Sequence, residues 1–563
     1  MKFLSLICVL ASLHAYTASG AERLFYPTNL KVDLINPTAD DVKAVVSQFS
    51  ANQGLSINVD SLQLKEIQES LLGRHYRFSQ VLNGHEVSLA EVVVTINNQG
   101  QVVKIYNTTQ ARLATRSNKM AMPLISSEQA LESAFQELKV DGQLISAPTA
   151  QLVYTNDAEA KLVYDLKISV SAPFGHWNVK VDALNASVVS VESEALERIK
   201  RALVDYKNRM VKSILSVKQA LKSFRLTQKS LKTEDPSASA NGTGQIFNPN
   251  PVVTLNRQDL TDTTDASIFL PAYKTVELKD LSIINGAYNL KGPKVSIIDF
   301  ESPATAPSTS SNGVWDKTRG NNAFNDVMTY FHIDQSIRYL ESLGYTSAKV
   351  IFPKSVEVDS DGLSGADNSH YIPSQRRLAF GHGCVNDNED SDVILHELGH
   401  AIQHHINSSW LGGDTGAMGE GFGDYWAASY STTTENGQAT TIHPEWVFKW
   451  DGHNSCWPGR KLNALTMQYN SASTYSAHSN VAGGVSDELW STPLFQAFQE
   501  LRTLGVERSN IDKIIIESHF GLGSGVKMRD MANAIIKTAK ALFPDKNYDQ
   551  IYYKSFKRHN IVL

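Results

Sequence analysis

Apolar and polar residues alternate along residues 60–110, most regularly in EVSLAEVVVTINNQGQVVKIYN. A period of two predicts β-strands, and the Asn-Gly and Gln-Gly pairs between the short runs predict the turns of an antiparallel sheet. From residue 126, SSEQALESAFQEL spaces its apolar residues by threes and fours behind a serine, which predicts a capped helix. Strand-like runs follow in KLVYDLKISVS and HWNVKVDA. The first third of the chain is therefore predicted to be a small α+β region.

Residues 198–232 have a different pattern, with eleven Lys or Arg against one Asp and apolar residues at every third or fourth position. This spacing predicts a long amphipathic helix with a basic face. Such a helix binds a membrane surface or a polyanion, or it connects two regions and packs along one of them. The continuous apolar stripe favours the second interpretation.

The next stretch, KTEDPSASANGTGQ, is rich in Pro, Gly, Ser and Asn and predicts a flexible linker that proteases cut easily. We expect processing between about residues 230 and 247 on this ground. Beyond the linker, strand-like runs such as KVSIIDF come first, and helical runs such as ILHELGHAIQHHI and DELWSTPLFQAFQEL dominate later. This order predicts a β-rich part followed by a helical part.

The chain has 563 residues, of which 42% are hydrophobic, and is long enough for two or three domains. Its net charge of −6 offers no basic surface for phosphates, so nucleic acid is not expected as a partner. The N-terminal MKFLSLICVLASLHAYTASGA has one Lys, an apolar run and then small residues, the layout of a secretory signal over 1–21. The alternative, a membrane anchor, is disfavoured because the apolar run is shorter than about 20 residues.

Of the three cysteines, Cys8 lies in the predicted signal, so Cys384 and Cys456 remain in the exported chain. In an oxidising compartment these two can form a disulfide, but their spacing does not establish that they are close, and two free thiols remain the alternative. Neither lies in a C-x-x-C pattern, so cysteine ligation of a metal is not expected.

The stretch HELGHAIQHH contains the pattern H-E-x-x-H on a predicted helix. His396 and His400 are one turn apart, about 6 Å along the axis, so both imidazoles can reach one Zn²⁺ at about 2.1 Å. Glu397, beside the first ligand, can act as general base on water there. His404 is about 12 Å from His396 along the axis and His405 falls on the opposite face, so neither can share that ion. The alternative is a surface helix with solvated histidines.

A third metal ligand is expected from GAMGEGFGDYWA, which places Glu420 and Asp424 four residues apart. On a helix these two carboxylates share a face. We assign Glu420 to the metal and Asp424 to the free ring N–H of a ligating histidine, whose tautomer and orientation it would fix. The two motifs together, in an exported chain, predict a zinc site.

Nineteen residues separate His400 from Glu420, and this spacing, with Asp424 after it, resembles that of the thermolysin-like and fungalysin-like metallopeptidases, the gluzincin group. The wording GAMGEGFGDYW is especially similar to that of fungalysins. Upstream, HYRFSQVLNGHEV resembles the fungalysin/thermolysin propeptide (FTP) motif, and SSEQALESAF with WNVKVDA resembles a PepSY domain. The resemblance implies a propeptide that acts as intramolecular chaperone and inhibitor and is removed on maturation.

The patterns and the resemblance divide the chain into five parts. These are a signal peptide (1–21), an FTP-type propeptide region (22–125), a PepSY-like propeptide region (126–197), the basic helix and linker (198–243) and a zinc metallopeptidase catalytic domain (244–563). The implied fold class is α+β: an α+β propeptide before a thermolysin-like, two-lobed zincin domain with a β-rich N-terminal lobe and a helical C-terminal lobe.

Within the catalytic part, DNSHYIPSQRRLAFGHG resembles the edge strand of the family, where Asn368 and Ser369 would pair with an extended peptide main chain. The alternative is a buried strand that pairs only with its own sheet. The stretch AHSNVAGGVSDELW resembles the family's helical lobe, which implies that His478 binds the tetrahedral oxyanion, with His443 and His453 as the remaining candidates.

A second ion is implied more weakly. Asp392 matches a calcium ligand of thermolysin, so the resemblance makes Ca²⁺ a candidate ligand in addition to the catalytic Zn²⁺. The acidic loop DSDGLSGADN lacks the full EF-hand pattern and is interpreted as a turn.

The sequence therefore predicts a secreted, extracellular and monomeric zinc endopeptidase that is made as a zymogen, has no membrane anchor, and takes peptides or proteins as substrates and its own propeptide as a partner. One alternative is an exopeptidase or a narrow-specificity hydrolase on the same zinc scaffold. Another is a catalytically inactive exported binding protein, against which the intact Glu397 argues.

Overall fold

The computed structural model describes residues 23–28, 30, 36–111, 113, 122–157, 159–197, 211, 213–230 and 238–563. The predicted signal peptide and residues 198–210 of the predicted basic helix lie outside these residues. Within them the chain is a mixed α+β protein, as predicted. Among the described residues, no helix combines the length and the apolar character that a bilayer span requires.

A nine-stranded sheet forms where the alternating pattern predicts strands. Its strands are β1 (Leu24–Phe25), β2 (Leu62–Glu69), β3 (Gly73–Leu82), β4 (His85–Asn97), β5 (Val102–Asn107), β6 (Thr149–Tyr154), β7 (Leu162–Ser171), β8 (Phe174–Asp182) and β9 (Val188–Ser193). The order is β1-β5-β4-β6-β7-β8-β9, with β3 beside β4 and β2 beside β3. A single parallel pairing of β4 with β6 joins two antiparallel halves.

Two helices cover this sheet, and each shares a hydrophobic core cluster with one half of it. They are α1 (Ala39–Gln53) and α2 (Ser127–Leu138). The predicted start of α2 is confirmed: the hydroxyl of Ser126 accepts a hydrogen bond from the N–H of Gln129, and the Gln129 side chain accepts one from the N–H of Ser126. This reciprocal capping satisfies two donors that the first helical turn would otherwise leave open.

The segment predicted as basic helix and linker, 198–243, differs from the prediction. Residues 213–216 are not helical, and the described helix is α3, Val217–Ser230, whose Val217 and Ala220 are buried in the core cluster of α2. The linker prediction is wrong for residues 238–243, which lie in strand β11 (Ala238–Phe247). Pairing with β12 stabilises a strand despite the Gly- and Ser-rich composition, which favours a flexible loop. At Gly244 the strand packs so closely that a Cβ would lie 2.5 Å from Val327 Cγ1, so this position requires glycine.

Two five-stranded sheets carry the predicted β-rich part. Besides β11, their strands are β10 (Leu196–Glu197), β12 (Tyr273–Ile284), β13 (Ala287–Asn289), β14 (Val295–Ile297), β15 (Thr309–Ser310), β16 (Val314–Trp315), β17 (Val356–Asp359), β18 (Ser369–Ile372) and β19 (Arg377–Phe380). Two separate pairs of two-residue strands lie later in the chain: β20 (Trp446–Val447) pairs with β21 (Arg460–Lys461), and β22 (Asn480–Val481) pairs with β23 (Gly484–Val485). The sheet orders are β10-β18-β19-β17-β14 and β15-β13-β12-β11-β16.

Helices dominate the last third of the chain, as the apolar spacing predicts, and two further helices precede it. After α3 they are α4 (Pro251–Leu255), α5 (Asn322–Ser342), α6 (Ser391–Ile406), α7 (Asp414–Ser431), α8 (Glu435–Ala439), α9 (Ser486–Thr503), α10 (Arg508–Ser518), α11 (Met528–Leu542) and α12 (Tyr548–Arg558). One hydrophobic core joins them to the two five-stranded sheets and includes the fully buried Trp426 and Trp490. The helix with the HELGH motif, α6, is buried over almost its whole length at the centre of this core.

Candidate metal centre and substrate cleft

Two glycines let the helices α6 and α7 approach each other closely. A Cβ at Gly399 of α6 would lie only 2.9 Å from the Cα of Gly423 in α7. A side chain at position 399 would therefore push the two helices apart. His396 and His400 flank this contact on α6, and Glu420 lies one turn before it on α7. The close contact therefore brings the two motifs, which are separate in the sequence, to one site.

His396, His400 and Glu420 form a compact cluster of candidate ligands. The Nε2 atoms of the two histidines lie 3.2 and 3.3 Å from the carboxylate oxygens of Glu420, and all three residues are at most 2% exposed. Ligands bound to a tetrahedral Zn²⁺ at about 2.1 Å lie about 3.4 Å apart, so the spacing and the donor set fit this ion. Glu397, the next residue of α6 after His396, is fully buried beside the cluster.

The carboxylate of Glu420 is kept in the form that binds a cation. Burial alone would raise its pKa, but the neighbouring His478 and His400 lower the pKa of Glu420 well below its usual range. A carboxylate must be deprotonated to coordinate a metal. Glu420 is therefore ionised across the neutral pH range.

Asp424 contacts the ring of His396 on the side away from Glu420. Its Oδ1 lies 3.0 Å from Nδ1 of His396, so the remaining nitrogen, Nε2, faces Glu420. The ring passes directly over Gly423, where a Cβ would lie 2.5 Å from Nδ1. This arrangement fixes both the tautomer and the orientation of the ring.

Arg460 is a residue of the site for which the sequence offered no role. Its guanidinium lies 3.3 Å from Glu420, 3.0 Å from Asp424 and 3.3 Å from Asp487, and it is 3% exposed. A buried cation of this kind compensates the negative charge of three buried carboxylates. Because these partners lie 27 to 40 residues from Arg460 in the sequence, no local pattern could have identified it.

His478 reaches the same site from the loop before α9. Its Nδ1 lies 2.8 Å from Oδ2 of Asp487, its main-chain N–H donates to Oδ1 of Asp487 at 2.9 Å, and its Nε2 lies 3.7 Å from Glu420. Burial alone would lower the pKa of His478, but Glu420 and Asp487 outweigh it and raise the pKa to about 9. Asp487, which the sequence analysis missed, thus orients the ring of His478 and, with Glu420, favours its protonated form.

The strand predicted to receive substrate, β18, has a partner in the structure. Leu196 and Glu197 of β10 pair with it in antiparallel register, with Glu197 opposite His370. Nδ2 of Asn368 donates to Oε2 of Glu197 at 2.8 Å, whereas the Ser369 hydroxyl turns inward and donates to Asp387. The edge predicted for a peptide is therefore occupied by the chain's own β10, and of the two predicted residues only Asn368 contacts it through its side chain.

A cavity of about 220 Å³ opens between β10 and the candidate ligands. Glu197, His400, Glu420 and His478 all line it, together with Trp410. Nε2 of His478 lies 2.7 Å from the main-chain oxygen of Glu197, so the docked strand directly contacts the site. We call this space the cleft.

Comparisons with known proteins bear on this site. The family model described as the Fungalysin/Thermolysin Propeptide Motif matches residues 60–109. An extracellular elastase of Staphylococcus epidermidis is 33% identical over 134 residues, which cover 23% of this chain and 25% of that protein. A bacillolysin of Bacillus subtilis is 24% identical over 169 residues, which cover 28% of this chain and 32% of that protein.

The chain is related to the thermolysin family of metallopeptidases. It spans about a quarter of the length of the first of these relatives. Among solved structures, the precursor of protealysin from Serratia proteamaculans has a TM-score of 0.35 and 10% identity, and covers 47% of this chain and 87% of that one. The predicted PepSY resemblance of residues 126–197 stays a prediction.

In this chain, the segment that matches the propeptide motif, residues 60–109, contacts the loop that follows α10. Arg77 lies 2.5 Å from Glu91 and donates to the carbonyl of Leu522 at 3.0 Å, and Glu91 accepts from the N–H of Ser524 at 2.6 Å. Glu517 accepts from two main-chain N–H groups that precede β3. The region with the propeptide motif is thus an intramolecular partner of the helical part.

The structure also places the other predicted residues. Cys384 and Cys456 form a disulfide, which excludes the alternative of two free thiols.

Asp392, the candidate calcium ligand, is fully buried, and its Oδ2 accepts from the N–H of Phe448 at 3.1 Å. Burial and the neighbouring Asp390 raise the pKa of Asp392 to about 7. Calcium binding stays a prediction.

The remaining histidines of HELGHAIQHH lie outside the ligand cluster. Nδ1 of His404 lies 3.0 Å from the Tyr371 hydroxyl, and Nδ1 of His405 donates to the carbonyl of Ala401 at 2.8 Å. Burial lowers the pKa of His404 to about 3 and that of His405 to about 4, so both rings are neutral packing residues. The alternative oxyanion candidates, His443 and His453, both stack on Trp446.

Proposed function

We propose that this chain is a zinc-dependent endopeptidase that is exported as a zymogen. The observation that carries the proposal is the cluster of His396, His400 and Glu420 at the wall of a cleft that already contains an extended strand of peptide. A surface helix with solvated histidines does not fit, because all three residues are buried. Zinc bound by this set would supply a Lewis acid that lowers the pKa of water and polarises a carbonyl.

The chain's own residues would carry the proton. Glu397, fully buried next to His396, would accept a proton from the attacking water and deliver it to the leaving amine. Asp424 would keep His396 in the tautomer that leaves Nε2 for the metal. His478, held by Asp487, would donate a hydrogen bond to the carbonyl oxygen as that oxygen becomes negative.

The substrate would be held as an added strand. In the proposal, a peptide pairs with the main chain of β18 near Asn368 and Ser369, in the position that β10 takes here. Main-chain pairing at a sheet edge binds extended peptides of many sequences, which suits an endopeptidase. The strands from β11 to β19 and the helices from α7 onward would form the two lobes, with α6 between them.

Residues 23–197, which we call the N-terminal region, would act as chaperone and inhibitor. Its strand β10 occupies the substrate edge, and its FTP motif docks on the loop after α10. Release of this region would open the cleft. Zymogen export fits the relatives, one of which is named an extracellular elastase.

The experiment compares the unmodified protein with Glu397→Gln and with the exposed control Glu435→Gln, each after limited proteolysis of the full chain has released the N-terminal region. We expect all three proteins to bind one zinc per chain. We expect the unmodified protein and Glu435→Gln, but not Glu397→Gln, to cleave internally quenched peptides that are blocked at both ends. Activity confined to peptides with a free terminus would indicate an exopeptidase. Zinc binding without hydrolysis of any peptide would indicate an inactive binding protein, and unchanged activity in Glu397→Gln would refute the mechanism.

A further inference from the structure

A second group of two histidines and one glutamate lies where the N-terminal region meets the rest of the chain. His176 lies in β8 of the N-terminal region, His370 lies in β18, and Glu301 follows β14. Nε2 of each histidine lies 2.8 Å from Oε1 of Glu301, and all three side chains are at most 2% exposed. We call these residues the interface triad. It shares no residue with the ligand cluster of α6 and α7.

The two imidazoles of the interface triad meet in the same way as those of the HELGH motif. The ring centroids of His176 and His370 lie 5.2 Å apart, and the ring planes are inclined by 86°. For His396 and His400 the corresponding values are 5.0 Å and 90°. In both groups Nε2 of each histidine faces a carboxylate oxygen of a buried glutamate. The interface triad therefore has the donor set and the arrangement of a zinc site.

Contacts on the far side of His176 orient its ring. Nδ1 lies 2.8 Å from Oγ of Ser169, and the side-chain amide of Gln375 contacts Oγ at 2.9 Å and Nδ1 at 3.2 Å. A serine hydroxyl donates or accepts as its partner requires, so Nδ1 can carry the proton and leave the lone pair of Nε2 directed at Glu301. Metal-bound histidines are commonly held by such a hydrogen bond from the other ring nitrogen.

Direct hydrogen bonds hold the interface triad together when no ion is bound. Both histidines then donate to Oε1 of Glu301, while Oε2 accepts from the N–H of Leu363 at 2.9 Å. Ligands bound to Zn²⁺ at about 2.1 Å lie about 3.4 Å apart, so each contact has to lengthen by about 0.6 Å to admit the ion. Small rotations of the three side chains supply a shift of this size.

An ion can reach the interface triad from the cleft. His176 and His370 both line the cleft, as do His400 and Glu420 of the other cluster. The cleft therefore provides an entry path and space for a water molecule beside the two imidazoles. Three protein ligands and one water complete a tetrahedral site.

We propose that the interface triad is a second zinc site, which fastens the N-terminal region to the rest of the chain. One ligand, His176, belongs to the N-terminal region, and the other two belong to the β-rich part beside the cleft. Release of the N-terminal region therefore removes the site. The inference goes beyond the proposed endopeptidase reaction, which uses only the ion at His396, His400 and Glu420.

The first experiment counts zinc in the purified full chain with the change Glu397→Gln, which prevents self-cleavage. Metal analysis after saturation with zinc and removal of the excess should give two ions per chain in this parent. A further change His176→Gln should leave one ion, and so should a further change His400→Gln. His85→Gln, which alters a histidine of the N-terminal region outside the interface triad, is the matched control and should keep two.

Each pattern of counts decides between the two sites. A count that His176→Gln leaves at the parent value would overturn the second zinc site. A single ion in the parent that is lost in His176→Gln would support the interface triad and refute the metal centre of α6 and α7. The two proposals therefore fail separately.

The second experiment distinguishes a metal site from a purely structural contact and leaves the interface triad unaltered. It uses the chain with Glu397→Gln and His400→Gln, freed of metal by a chelator. Because an ion stabilises the state that binds it, added zinc should slow hydrogen exchange in β8 by about tenfold or more. Magnesium, which prefers oxygen ligands, is the control ion and should have no effect. Exchange that zinc leaves unchanged would overturn the proposal.

Discussion

His176 of β8 and Glu301 are joined by a buried contact, with Nε2 of the histidine 2.8 Å from Oε1 of the carboxylate. His370 of β18 contacts the same oxygen at 2.8 Å. All three side chains are at most 2% exposed. Because His176 belongs to the N-terminal region and His370 to the strand that borders the cleft, one carboxylate ties the two regions together.

Glu301→Gln should loosen the N-terminal region. Burial alone would raise the pKa of Glu301, but His370 and His176 lower the pKa below its usual range, so the native state holds a charged acceptor that glutamine cannot replace. In a Glu397→Gln background, hydrogen exchange in β8 and β10 should increase by about tenfold. Glu357→Gln, which alters a half-exposed pair with Arg377 in the same sheet, is the control and should leave exchange unchanged.

Gly423→Ala should weaken metal binding. The added methyl carbon would lie 2.5 Å from Nδ1 of His396 and would displace its ring from Asp424 and from the ligand cluster. Loss of such support typically costs about 10-fold to 100-fold in metal affinity. Zinc content after dialysis against a chelator measures the effect. Gly419→Ala is the matched control, because its methyl would meet atoms no nearer than 3.4 Å.

Asp487→Asn should lower kcat with little change in KM. The change removes one of the two carboxylates that keep the His478 ring protonated and the acceptor that orients its Nδ1, so Nε2 would less often present a proton to an oxyanion. We expect a loss of about 10-fold to 100-fold in kcat, with zinc content unchanged. Glu488→Gln changes the next residue of the same helix without touching His478. Equal losses in both variants would mean that the start of α9, and not His478, is responsible.

Acidification from pH 7 to pH 5 should lower the free energy of unfolding through the buried histidine His332. Burial lowers its pKa to about 4, while an unfolded histidine titrates near 6.5. Between these values the unfolded chain binds a proton that the native state does not, so this contribution is complete above about pH 6.5 and is lost as the pH falls toward 4. At pH 5 the loss amounts to about 2 kcal/mol.

Urea unfolding of the Glu397→Gln protein at pH 7 and pH 5 measures this effect. His332→Gln keeps a donor for the carbonyl of Phe247 but does not titrate, so it should lose less stability on acidification than the parent. His443→Gln, at a site that is about half exposed, should behave like the parent. Identical pH dependence in the parent and in His332→Gln would contradict the assignment.

Local sequence patterns determined much of this protein. The alternation in EVSLAEVVVTIN is the strand β4, and the serine before ALESAF caps α2. The four-residue spacing in HELGH and in GEGFGD puts each pair of candidate site residues on one face of a helix. These features depend on residues within one or two turns of one another, and periodicity reports such relations directly.

Tertiary structure alone decided the rest of the site. Arg460 carries no local signal, because its partners lie 27 to 40 residues away along the chain, and Asp487 meets His478 across a nine-residue loop that has no periodic pattern. The stretch ASANGTG became a strand because β12 and β16 supply the hydrogen bonds that its own residues do not favour. Leu196 and Glu197 lie in the cleft for the same reason: strand pairing joins residues that are distant in sequence, and only the folded chain shows which edge remains for them.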